Sequence, residues 1–344
     1  MSANSRYPLC SLVGFICLLL LPISAWPQAN DFYAGRTVTI LVGSSPGGIT
    51  DTSAREIARF LERHLPGEPT VIVKNMPGGG SVTMTNYLYR SAPKDGTVLG
   101  YALPAIVTAQ LLEPRRARYD GREINWIGSA FRTTNVLSIA SSAPVQTLEE
   151  LRQQPLAIGV TGRGSPIYQL PALSRSLLGL QLKIIAGYEG GNDITLAMER
   201  GEVHGQGTAL EFWAMSRPQW LESGALTHLV YIGAGDPQRL PGVPHMKDLV
   251  SADEDKRLVE FFETSATFGF PLFAPPSVPQ ERIALLRQAF AGVVADAEFV
   301  ESVRTTMKME ISPTVGEALA QLVAAAIETP EPIVTRARAV LDAD

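Results

Sequence analysis

The sequence predicts an α/β protein of two lobes, each a mostly parallel sheet flanked by helices, facing each other across a cleft. Three observations carry this. Short β-branched or aliphatic runs alternate with helical stretches at a spacing of about 30 residues, the rhythm of parallel strands joined by crossover helices. That rhythm halts near Phe131 and begins afresh at Asn135. Both halves place glycine turns at the carboxyl ends of their strands, where open α/β sheets hold ligands. With 344 residues, 45% of them hydrophobic and 18% charged, the chain has material for two cores.

The N-terminal stretch stands apart. Arg6 precedes an apolar run from Leu9 to Ile23, and a polar break follows at Gln28-Ala29-Asn30. The run is short for a membrane span and suits a secretory signal peptide over 1–29, cleaved near 25–29. Cys10 and Cys17 both lie inside it, so the secreted chain would hold no cysteine. Disulfides, thiolate catalysis and thiolate-bound metal are then excluded. The expectation is a periplasmic protein.

The first lobe is expected over 30–132. Thr37 to Val42 reads as a strand, Gly43-Ser44-Ser45-Pro46-Gly47-Gly48 as a turn, and a helix opens near Thr50 or Asp51, either of which can cap it. A strand over 70–74 follows, then a second glycine turn (Asn75 to Ser81), a helix over 82–90, and strands over 97–102 and 126–131. The second lobe is expected over 133–236. Its strands are read at 136–140, 156–160, 182–185, 203–209 and 226–232. Thr147 and Glu150 form a capping-box pattern at the start of a short helix. Further helices are read at 167–178 and 193–200. The remainder, 237–344, has a short strand over 268–273 and helices at 279–296, 296–309 and 314–341. It is expected to pack back on the first lobe, giving two crossings between lobes.

The turn at 43–50 nearly has phosphate-loop spacing, but Ile49 stands where the lysine is required. Backbone donors and a helix dipole without a cation suit a carboxylate instead. Ser44, Ser45, Pro46, Gly47, Gly48, Thr50 and Asp51 are therefore candidate ligand-binding residues. The turn after the 156–160 strand repeats the arrangement with Thr161, Arg163, Gly164, Ser165 and Pro166, and Arg163 can fork onto a carboxylate. Tyr188, Gly190 and Asn192 on the next turn add an aromatic wall and an amide.

Other classes find little support. A net charge of −5, with Arg115, Arg116 and Arg118 as the one cationic cluster, decorating an exposed loop, argues against nucleic acid. The four histidines, His64, His204, His228 and His245, are scattered, and no nucleophile elbow or metal-binding pair occurs. No catalytic set, metal or cofactor is therefore expected. An organic-acid enzyme would need a convergent acid/base pair; a ligand sensor of the same architecture is the other alternative.

The ordered series GRTVTILVGSSPGGITDTSAR, VIVKNMPGGGSVTMTNYLYRSAPKDGTVLGY, IGVTGRGSPIYQL, IIAGYEGGNDITLAMERGEVHG, DPQRLPGVPHMKDL and GFPLFAPPSVPQERIALLRQAF resembles the solute receptors of tripartite tricarboxylate transporters, the Bug-type periplasmic binding proteins. The resemblance implies a two-lobe Venus-flytrap receptor that closes on a small organic carboxylate and delivers it to membrane permease subunits; the chain is expected to be a monomer. The resemblance also implies that backbone amides of the loops at 43–51 and 161–166 hold the carboxylate. This chain has Tyr168, His204 and Arg163 where the family commonly has His, Asp and a small or polar residue. Arg163, Tyr168 and Tyr188 are thus expected to select the ligand.

Overall fold

The computed structural model describes residues 1–2, 32–235 and 238–342; the expected signal segment lies almost wholly outside them. β1 (Thr37–Val42) buries Val38, Ile40 and Val42 completely, as a strand covered on both faces must. It leads through α1 (Ile49–His64) to β2 (Thr70–Asn75), then through α2 (Val82–Arg90) to β3 (Val98–Tyr101), and β1 pairs in parallel with both strands. After α3 (Ile106–Leu112) comes β4 (Asn125–Ser129), the last strand before the chain leaves this lobe.

The second lobe comprises β5 (Thr134–Ala140), α4 (Leu148–Gln153), β6 (Leu156–Gly159), α5 (Pro166–Leu178), β7 (Leu182–Ile185), α6 (Gly191–Glu199), β8 (Gly205–Ala209), α7 (Leu210–Ser216), α8 (Pro218–Glu222) and β9 (Leu226–Gly233). α9 (Asp253–Phe268), β10 (Pro271–Ala274), α10 (Gln280–Ala295), α11 (Ala297–Ser302), β11 (Thr314–Val315), α12 (Gly316–Ile327) and α13 (Glu331–Asp342) complete the chain. The first sheet has the order β11-β4-β10-β3-β1-β2 and the second β7-β6-β8-β5-β9.

Both sheets are mixed, where mostly parallel ones were expected. β10 runs antiparallel to β3 and β4, and β5 runs antiparallel to β8 and β9. The reason is connectivity. β5 and β10 each enter directly from the other lobe, without the helical crossover that makes neighbours parallel.

The route of the C-terminal third also differs from expectation. Leu258, Val259 and Phe262 of α9 join the core formed by Leu137, Ile139, Ile158 and Leu170, so α9 belongs to the second lobe. The chain returns to the first lobe only after Gly269, not at 237. α10 and α11 then cover the first sheet through Phe290, Val293 and Phe299, the last meeting Phe60 edge-on at 5.2 Å. The expected helix over 314–341 is two helices parted at Pro330, because proline disfavours helical geometry in the residue before it. α13 then crosses again, and Ala337, Val340 and Leu341 sit in the second-lobe core. Among the described residues the lobes are therefore joined three times.

The first two crossings lie side by side. Thr133 N donates to Ala266 O at 3.1 Å, and Gly269 has φ +55° with its Cα pressed on the Phe131 carbonyl. A Cβ there would stand 1.8 Å from that oxygen, so only glycine fits. The third crossing is tied down where Arg338 Nε donates to Leu111 O at 2.8 Å, linking α13 to α3 of the first lobe.

Candidate functional site

A cavity of about 320 Å³ lies between the lobes, walled by the turns that leave β1, β2, β6 and β7. On the first-lobe side the turn after β1 is held from behind. Gly47, at φ +80°, donates its N–H to Asp51 Oδ2 at 2.9 Å. Asp51 also accepts two hydrogen bonds from Arg55, at 2.9 and 3.0 Å, and one from Asn75 at 2.8 Å. Asn75 binds Ser44 O as well, at 3.0 Å. Burial alone would raise the Asp51 carboxyl, but the bonds from Arg55, Gly47 and Asn75 outweigh it and hold it below its usual range.

Ser81 ties three first-lobe turns together. It is fully buried at φ +79°, a left-handed conformation that a serine adopts only when its surroundings compensate. The compensation is visible: its Oγ donates to Gly43 O at 3.0 Å and accepts from Leu103 N at 2.9 Å. Gly43 and Leu103 both line the cavity. A Cβ on Gly43 would stand 2.3 Å from Ser81 Oγ, so this join requires glycine.

Three helices begin beside the cleft, and their starts differ. α5 is capped by Ser165, whose hydroxyl is hydrogen-bonded to that of Thr161 and accepts from Tyr168 N at 3.4 Å. α1 and α6 open on Gly48 and Gly190, neither of which supplies a side-chain cap. First-turn N–H groups lack intrahelical acceptors and carry the positive end of the helix dipole. Two bare helix starts thus meet the cavity from opposite lobes. Among the described residues no Lys or Arg lines it; its charged residues are Glu189 and Asp193, both exposed. Ser45 Oγ is buried without a partner among the described residues, so a hydroxyl on this wall is open to a ligand. Ile49, Leu103, Ile167 and Phe212 give the cavity an apolar body.

Of the residues singled out from sequence, Ser44, Ser45, Pro46, Gly48, Thr50, Thr161, Tyr188, Gly190 and Asn192 line this cavity together. Gly47 and Asp51 do not: Asp51 braces the loop from behind through the Gly47 N–H, while the Gly47 carbonyl accepts from Asn192 of the other lobe. Gly164, Ser165 and Pro166 also lie off the wall. Gly164 instead forms a backbone contact between lobes, so close that a Cβ on Gly80 would stand 2.5 Å from Gly164 O. Arg163 is turned away, paired with Asp342 of α13 and 5.9 Å from the Tyr168 ring centroid. Tyr168 is buried and donates to Leu341 O at 3.1 Å. Of the three expected selectors only Tyr188 reaches the cavity, its phenol pushed up by burial and by Glu202.

Gly78, Gly79 and Gly80 line the cavity too. Their turn is plain in the sequence but was not assigned to the site. Thr208 and Phe212 carried no such signal, because α7 has neither a capping residue nor a glycine turn before it. Among the described residues no group of three His, Cys, Asp or Glu could hold a metal ion, and no helix is long and apolar enough to cross a membrane.

The profile of the tripartite tricarboxylate transporter family receptor, TctC, matches residues 53–338. BugT of Bordetella pertussis is 25% identical over 289 residues, 81% of this chain and 82% of its own. The solved periplasmic binding protein BugD shares the fold with a TM-score of 0.72 at 21% identity, over 89% of this chain and 98% of its own. An R. palustris protein solved with adipate gives 0.70 at 22% identity, over 91% and 98%. On the extent of the profile match, the chain belongs to the tripartite tricarboxylate transporter receptor family.

Proposed function

We propose that this chain is a periplasmic receptor that captures a small organic carboxylate between its lobes and delivers it to a membrane permease of the tripartite tricarboxylate type. The observation that carries the reading is the pair of uncapped helix starts, Gly48 and Gly190, facing one cation-free cavity from opposite lobes. Backbone N–H groups there would hold the carboxylate. Ser44, Ser45, Thr50, Thr161 and Asn192 would supply hydroxyl and amide partners, while Tyr188 would wall the ligand's body. Bridging both lobes favours the closed state by as much as the ligand binds it better than the open one. Adipate in a relative of the same fold supports this ligand class. The secreted chain, freed of residues 1–29, would act as a monomer.

The test is a thermal-shift panel of mono- and dicarboxylates, aromatic acids included, with calorimetry on each hit. At least one acid should raise the melting temperature. Gly48→Val and Gly190→Val should abolish its binding while leaving the apo melting temperature unchanged, because no neighbour crowds either Cα closer than ordinary contact. No response to any carboxylate, or unchanged affinity in both variants, would overturn the reading.

A further inference from the structure

Beside the cleft lies a band of positive charge that solute capture does not use. Three depressions run edge to edge. One is walled by Arg90, Arg115, Arg116 and Arg118 of the first lobe. The next shares Arg115 and Arg116 with it and adds Arg163 and Arg338. The third shares Arg116 and Arg163 and adds Arg175 and Lys183 of the second lobe. Facing these eight cations are three carboxylates: Glu113 and Asp342 within the depressions, and Glu331, which pairs with Arg338 at 3.0 Å. Glu113 is 3.3 Å from Arg116, and Asp342 pairs with Arg163. Arg115, Arg118, Arg175 and Lys183 have no acidic partner among the described residues. In a chain of net charge −5, this concentration is a local feature that composition does not explain.

The band adjoins the cavity, sharing Gly79 on one side and Thr161, Gly162 and Tyr188 on the other. It is also divided between the lobes, so that its two halves stand together only when the lobes do. An anionic surface that touches both halves prefers the closed state, and by linkage solute and partner strengthen each other's binding. Charged rims of this kind steer encounter and fix register more than they add affinity.

We propose that this band docks an acidic segment of a protein partner, and that the segment reads lobe closure through it. Naming that partner the permease rests on the receptor reading above; the surface itself does not. The probe is a fluorescein-labelled decaglutamate peptide, followed by anisotropy against the secreted chain at about 50 mM and about 300 mM salt. Sedimentation with vesicles containing phosphatidylglycerol runs alongside, and melting curves confirm that each variant is folded. The peptide should bind at low salt and be largely released at high salt. The first-lobe variant R115E/R116E/R118E and the second-lobe variant R175E/K183E should each weaken it tenfold or more. Asn192→Ala, outside the band but spanning the cleft, should weaken it several-fold, and the vesicles should not retain the chain.

Absence of peptide binding, dependence on one lobe alone, indifference to Asn192→Ala, or retention by vesicles as strong as peptide binding would each overturn the proposal. Peptide binding that persists in a chain answering to no carboxylate would sink the receptor reading and leave the docking surface standing.

Discussion

The side-chain amide of Asn192 donates to the carbonyl of Gly47 at 3.1 Å, a hydrogen bond that runs from α6 of one lobe to the β1 turn of the other. It makes no contribution to either core, so its effect falls on the open–closed balance. A neutral hydrogen bond contributes about 1 kcal/mol net. Asn192→Ala should therefore weaken solute binding about fivefold while leaving the apo melting temperature within a degree or so. Calorimetry and a melting curve together check this; a large loss of stability would show that the bond does more than join lobes.

Gly80 and Gly164 meet backbone to backbone across the cleft, leaving no room for a side chain at Gly80. Gly80→Ala, at φ +65°, costs about 1 kcal/mol of backbone strain, and its Cβ would meet Gly164 O. The variant should fold, bind solute at least tenfold more weakly, and fail to contract in small-angle scattering on ligand addition. Contraction equal to the parent's would show that another contact limits closure.

Asp51→Asn should destabilise the first lobe by about 2 kcal/mol, since charge-assisted bonds from Arg55 and Asn75 are lost behind a loop that lines the site. The sign of the pH dependence follows from the depressed folded-state carboxyl. Its contribution is full above the ordinary carboxylate range and is lost as pH falls through the lower folded value. The stability gap between parent and variant should be constant near neutrality and shrink in acid. Chemical denaturation at a series of pH values measures it.

Gly269→Ala should cost more than about 4 kcal/mol, because the added methyl meets the Phe131 carbonyl and has no direction of escape. A soluble variant with an ordinary melting curve would show that the paired crossings can part without unfolding.

Arg163→Ala should leave carboxylate affinity within twofold of the parent, because the guanidinium is committed to Asp342 and stands outside the cavity. A tenfold loss in calorimetry would return Arg163 to the site.

Local chemistry explains what the sequence reveals and what it hides. The glycine turns were legible because they rest on backbone geometry, which is written in adjacent residues. The Thr147–Glu150 capping box forms as read, with Glu150 N donating to Thr147 Oγ1 at 3.2 Å and Thr147 N to the Glu150 carboxylate at 3.1 Å. The fate of Arg163 was not legible: the residue that claims it lies 179 positions later, on a helix whose break at Pro330 sends it to the other lobe. Asp51 looked like a cap or a ligand contact; only Asn75, from the end of β2, together with Arg55 one turn further along α1, makes it a brace. The mixed sheets escaped reading for the same reason, since strand direction depends on where the chain has come from.

The three joins between lobes have a mechanical meaning. Two chain segments lying side by side, the entry to β5 at Thr133 and the last turn of α9 at Ala266, form a leaf spring between the lobes. A third strut, reaching from α12 to α13 and fastened at Leu111, resists torsion about that spring. Three joins leave the lobes fewer relative motions than two would, as a third strut stiffens a hinge.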